Sequence, residues 1–227
     1  MFRSLKYSES SLILDIYTRE KGLHSFIVGG VRKAKSKMKN IFHPVNIIEL
    51  VAYESDNRLS RIKEAGYALP YKQISSSVIH SSIAMFMIDL ARNAIKENEG
   101  NIDMYNFLKR HLTELDKAEG GFSLLPHRFA IDLTRYLGFE PLNNFDSENT
   151  YFDMIEGAFV DQELGHPHIL GETMSLWMYK LMSDVGESQI DKILRSEILD
   201  IILKYYRLHI DGFKELKCLP VLRSVLS

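Results

Sequence analysis

Hydrophobic positions repeat with two different periods along this chain. Residues 11–18 (SLILDIYT) alternate: Leu12, Leu14 and Ile16 are expected to face a core and Asp15 to face water, which predicts a strand. The polar run 18–22 (TREKG) ends in glycine, and residues 23–28 (LHSFIV) return, so the two segments predict a hairpin. Residues 44–55 (PVNIIELVAYES) alternate again, with Val45, Ile47, Glu49 and Val51 on one face. Asp56-Asn57 marks a turn, and residues 58–65 (RLSRIKEA) predict a further strand. Short strands joined by polar turns over about 70 residues predict a small antiparallel barrel.

Beyond that stretch the period lengthens. Ile79, Ile83, Phe86, Leu90 and Ala94 recur at three- and four-residue steps within a broadly apolar segment, 78–95, which predicts a helix buried on much of its surface. Residues 105–115 (YNFLKRHLTEL) and 124–137 (LLPHRFAIDLTRYL) follow the same rule. In the latter, Leu125, Phe129, Leu133 and Leu137 form one stripe, and Gly138 stands where a helix-ending glycine belongs. Further helices are predicted at about 171–183 and 188–210, the second opened by a capping box of Ser188 and Asp191. The polar interval 143–169, with Pro167, predicts irregular structure or a short hairpin. The fold class expected is therefore α+β, an N-terminal barrel followed by an all-α domain.

Charge divides along the same line. The chain carries −2 overall, yet residues 1–72 hold +6 and residues 73–227 hold −8. Arg32, Lys33, Lys35, Lys37 and Lys39 place five cations in eight residues between two predicted strands. Such a segment can follow a flexible phosphate backbone and gain affinity from counterion release. A solvated charge run is the plain alternative. Phe26 and Phe42 flank the segment and offer rings for base stacking, or else belong to the core.

Catalytic and metal chemistry find little support. The GxxxxGK[ST], GxSxG and HExxH patterns do not occur, and Gly29-Gly30 lacks the third glycine of a dinucleotide fingerprint. Cys218 is the single cysteine, so neither an internal disulfide nor a thiolate zinc site can form. His166 and His168 bracket a proline with no further ligand nearby, so no metal is expected there. There is no 18-residue apolar run and no secretory-type N-terminus, which points to a cytoplasmic protein without a membrane partner.

The segments YSESSLILDIYTREKG, GVRKAKSK and HPVNIIELV, followed much later by RYLGFEP and YYRLHIDGFKELK, resemble the RecO family of recombination mediators. Their order is kept across nearly the whole chain. The resemblance implies an oligonucleotide-binding (OB-fold) barrel over residues 1–71 and a helical domain over 72–227. It also implies a bacterial, nucleoid-associated DNA repair protein rather than an enzyme, with no cofactor. Such a protein binds single- and double-stranded DNA and anneals strands coated with single-strand-binding protein. It acts with RecR to load RecA. On the residues themselves, an RNA-binding barrel joined to a protein-interaction domain stays open as the alternative.

The DNA role implied by the resemblance falls on Arg32, Lys33, Lys35, Lys37 and Lys39, with Arg3 and Lys6 extending the surface. Family members begin eight to ten residues earlier, so this chain is expected to start inside the barrel's first strand. Many members also carry a four-cysteine zinc module in the helical domain. Here residues 145–170 form a cysteine-free remnant, and zinc is not expected. The family's helical domain docks the acidic, apolar C-terminal tail of single-strand-binding protein, for which Arg128 and His127 are the candidates here, then Arg207 and Lys214. Arg128 also stands four residues before Asp132, an ion-pair spacing, and both readings stay open.

Overall fold

The structure, a computed structural model, describes residues 1–31, 40–55, 59–96, 99–163, 165–183 and 190–226. The chain forms two compact units, Met1–Ala118 and Glu119–Ser227.

In the first unit, β1 (Arg3–Lys6), β2 (Leu12–Thr18), β3 (Gly22–Val28), β4 (Ile47–Tyr53) and β5 (Leu59–Leu69) build one sheet in the order β1-β2-β3-β5-β4. The β3–β5 pairing is parallel and the others antiparallel. The sheet is open rather than a closed barrel, with β1 and β4 at its edges. The residues just before those edges are nevertheless tied: Val45 N donates to Met1 O at 3.0 Å, and the Met1 nitrogen donates to Asn46 O at 2.9 Å. Leu14, Ile16, Phe26, Val28, Val31, Phe42 and Ile62 fill the core on one face. On β4 the core-facing residues are Ile48, Leu50 and Ala52, so Ile47, Glu49 and Val51 take the outer face, while Val45, which precedes the strand, is buried.

Three helices complete this unit: α1 (Gln73–Ser76), α2 (Val78–Ala94) and α3 (Ile102–Lys117). Ten residues of α2 are buried, as its broad apolar surface predicts. The turn between β2 and β3 meets the segment before α3 at van der Waals limits. A Cβ on Gly100 would stand 2.2 Å from Glu20 O, and one on Gly22 would stand 2.1 Å from Glu99 O. Only glycine fits either position.

The second unit contains α4 (Leu125–Leu137), β6 (Tyr151–Asp153), β7 (Ala158–Val160), β8 (Ile169–Leu170), α5 (Glu172–Met182), α6 (Lys192–His209) and α7 (Leu219–Val225). It is not all-α, because the three strands form a small antiparallel sheet in the order β7-β6-β8. Strands of two or three residues are too short to display a period of two. Gly138 ends α4 in the left-handed conformation, φ 84°. The expected capping box is replaced: Asp191 itself caps α6, accepting from Ile193 N at 2.9 Å and Leu194 N at 3.0 Å. Ser188 lies outside the described residues.

The two late motifs meet. Tyr205 Oη donates to Phe139 O at 2.9 Å, and the Phe139 ring stacks on His209 with centroids 5.1 Å apart. Phe152 and Phe159 of the small sheet pack against each other, and Phe152 also packs against Tyr205.

Candidate nucleic-acid interface and peptide pocket

The basic cluster lies between two anchored ends. After β3, Gly30 turns with φ 75° and Val31 is buried. On the far side Phe42 is buried, and Asn46 Nδ2 donates to both Asn40 O and Ile41 O at 3.0 Å. Arg32, Lys33, Lys35, Lys37 and Lys39 themselves fall outside the described residues. Lys6 is exposed and ends β1 in the cross-strand row Lys6–Leu12–Val28, beside the point where the chain leaves β3. Arg3 sits three residues earlier, where its Nε donates to Asp15 Oδ2 at 2.5 Å.

Phe26 and Phe42 are core residues, 6% and 2% exposed, so neither ring is available to a base. The alternation of strand side chains sends Phe26 inward, and Phe42 follows the chain back into the same core.

In the second unit, the first turns of α4 and α6 and the end of α7 enclose a pocket of about 450 Å³. Leu199, Leu222 and Leu226 supply its apolar surface, and Lys192, Arg195 and Arg223 supply its cations. Arg195 Nη2 donates to Leu226 O at 3.2 Å, which holds the guanidinium beside the leucines. Arg223 pairs with Asp200. The first turn of α6 adds the positive end of a helix dipole to the same side.

His127 also lines this pocket. Its Nε2 donates to Arg195 O at 2.8 Å, which leaves Nδ1 bare and buried. Burial pulls its pKa down to about 4, against a weaker upward pull from the hydrogen bond. The ring is neutral at pH 7 and brings no charge to an acidic peptide, contrary to its expected role as a cation.

Arg128 is half-buried on α4 and is not among the pocket residues. Arg207, at the end of α6, and Lys214 are exposed and also lie away from it. Sequence reasoning missed Lys192, Arg195 and Arg223. A signal was present for two of them: Lys192, Arg195 and Leu199 recur at steps of three and four, one face of the predicted helix. Among the described residues no cluster of His, Cys, Asp and Glu could hold a metal ion. No described helix is long and apolar enough to cross a membrane.

The chain matches the family described as Recombination protein O N terminal over residues 1–71, and Recombination protein O C terminal over residues 76–217. It is 31% identical over 230 residues to DNA repair protein RecO of Azobacteroides pseudotrichonymphae, covering 99% of this chain and 95% of that protein. It is 32% identical over 233 residues to DNA repair protein RecO of Phocaeicola vulgatus, covering 100% and 97%. A more distant relative, DNA repair protein RecO of Porphyromonas gingivalis, is 24% identical over 232 residues. Family matches in both halves of the chain, with relatives named as DNA repair proteins, define a protein of DNA repair and recombination. The chain belongs to the RecO family.

Proposed function

We propose that this chain is a recombination mediator. It binds single- and double-stranded DNA, anneals complementary strands, and acts with RecR to load RecA onto DNA coated with single-strand-binding protein. It works by binding rather than by catalysis, in the bacterial cytoplasm and at the nucleoid. Residues 1–71 serve as the OB-type DNA-binding domain and residues 72–227 as the partner domain. Its segment at about 145–170 is a remnant of the zinc module.

The observation that carries this reading is the leucine-lined pocket bearing Lys192, Arg195 and Arg223. Residues 73–227 carry −8, so their average field repels an acidic peptide. A local cationic site beside apolar side chains overcomes that field for one kind of ligand: an acidic segment ending in apolar residues. The tail of single-strand-binding protein has that chemistry. The basic segment at 32–39, with Lys6 beside its origin, supplies the phosphate contacts.

Strand annealing with and without single-strand-binding protein tests the proposal. The expected result is that this chain anneals complementary strands in both conditions, and that the Lys192→Ala, Arg195→Ala double variant fails only on coated strands. No annealing by the unaltered protein in either condition would refute it.

A further inference from the structure

One wall of the leucine-lined pocket is the short helix α7 and the residue that caps it. Seven residues are too few to keep a helix folded alone, so α7 exists through its docking. Leu222, 1% exposed, is its single buried side chain, and Val221 stands 55% exposed on the outside. Leu226 O accepts from Arg195 Nη2 at 3.2 Å, and Arg223 pairs with Asp200. Against these ties, Arg223 Nε is buried without a hydrogen-bond partner among the described residues, a desolvation cost that docking does not recover. Just before α7 the chain is fixed by the buried Leu216, and the family match ends one residue later, at 217.

The docked position completes the pocket. The helix α6 brings Lys192, Arg195 and Leu199, and the α7 segment brings Leu222, Arg223 and Leu226. Leu226 O holds the Arg195 guanidinium along this wall only while α7 is docked. A ligand that fills the space touches both walls, so it binds the docked arrangement more tightly than the undocked one.

We propose that α7 is a clamp that opens and closes on the pocket, and that an acidic peptide with an apolar end holds it closed. The inference concerns regulation of that site and rests on its reading as a peptide pocket. Its occupant follows from what closing brings together: two leucines against Leu199, and cations from both walls, in residues 73–227 that carry −8. An apolar ligand without carboxylates leaves Lys192 and Arg195 unanswered. An anion without apolar surface leaves the leucines wet. Only the combination spans both walls. By linkage, whatever favours the closed clamp also raises affinity for the peptide.

The test is hydrogen–deuterium exchange of the full chain, read segment by segment, with and without a synthetic ligand of four aspartates followed by two leucines. In the free chain, amides of residues 219–226 are expected to exchange about tenfold faster than those of 198–206 in α6, because the clamp opens locally. Ligand at saturation, fixed by a separate titration, should remove most of that difference. Val221→Gly, at an exposed position outside the pocket lining, should speed exchange of 219–226 in the free chain, and Val221→Ala should slow it. Equal rates for the two segments in the free chain, or equal rates in the two variants, would make α7 a fixed wall. Faster exchange of 219–226 with ligand would make α7 its competitor. Each of these results overturns the clamp while the ligand still binds. A ligand that does not bind the unaltered chain would overturn the peptide reading, and the clamp with it.

Discussion

Arg3 and Asp15 stand opposite each other on β1 and β2, and Arg3 Nε donates to Asp15 Oδ2 across 2.5 Å. Ser25 Oγ donates to the other carboxylate oxygen at 2.9 Å, so Asp15, 9% exposed, is held from two neighbouring strands. Arg3 thereby neutralises a charge that its own sheet encloses. Arg3→Ala should cost about 1 kcal/mol of stability, a figure reduced for its partial exposure, measurable by urea unfolding. Lys6→Ala should lower DNA affinity more than Arg3→Ala does. The opposite order would make Arg3 the phosphate contact.

The basic segment makes a sharper prediction through salt. If Arg32, Lys33, Lys35, Lys37 and Lys39 each neutralise one phosphate, replacing all five by alanine should reduce the salt slope on single strands by about 3.5. Sequence preference should not move, since phosphate contacts position without specifying. An unchanged slope in a salt titration would return the segment to a solvated charge run.

For the pocket, Lys192→Ala and Arg195→Ala should each weaken an acidic peptide with an apolar C-terminus by about 1–2 kcal/mol. DNA affinity should hold for both. Arg128→Ala belongs in the same peptide titration, because Arg128 is on α4 with His127 yet outside the pocket lining. A loss confined to Arg128→Ala would move the peptide site to another face of α4.

Acid stability should report His127. Above about pH 6.5 both folded and unfolded forms hold the ring neutral, and this residue adds no pH dependence. Between 6.5 and its folded value of about 4, the unfolded chain takes up a proton that the buried ring refuses. Stability therefore falls as pH falls through that window, by about 1.4 kcal/mol per unit for one histidine. His111, also lowered to about 4 by burial, acts in the same direction. Denaturation curves of His127→Gln should lose one proton's share of the slope. An unaltered slope would show that His127 titrates normally in the folded chain.

The small sheet of the second unit should stand on packing rather than metal. Phe152 is fully buried against Phe159 and Tyr205, and Ser175 Oγ accepts from its backbone N–H at 2.8 Å. Phe152→Ala should cost about 3–5 kcal/mol, a typical loss for a core phenylalanine. Chelator should leave the melting temperature of the unaltered protein unchanged. A chelator-dependent drop would identify a bound metal.

Where residues contact near neighbours in sequence, the elements were legible. Leu12, Leu14 and Ile16 announced β2 through a period of two, and α2 through α4 announced themselves at steps of three and four. Gly138 was legible for the same reason, since a helix stop is a local backbone event. The β6–β7 hairpin was legible only as one of two alternatives for the polar interval 143–169, and the strand β8 and the helix α7 were not legible, because segments of two to seven residues complete too few periods. On the site side, the cationic segment could be read as composition. The pocket could not, since Leu199 and Leu222 lie on different helices, and a contact between them leaves no periodic trace.

The sequence by itself determined the two periods, the division of charge, the family motifs and the place of the basic segment between strands. The tertiary structure alone decided that the sheet stays open, that Phe26 and Phe42 go inward, and that Leu5, Ile13, Ile27, Arg61 and Tyr53 align. The reason lies in the β3–β5 pairing. Parallel strands require a long crossover, so the register that sets Ile27 opposite Arg61 depends on packing between residues 34 apart rather than on any turn.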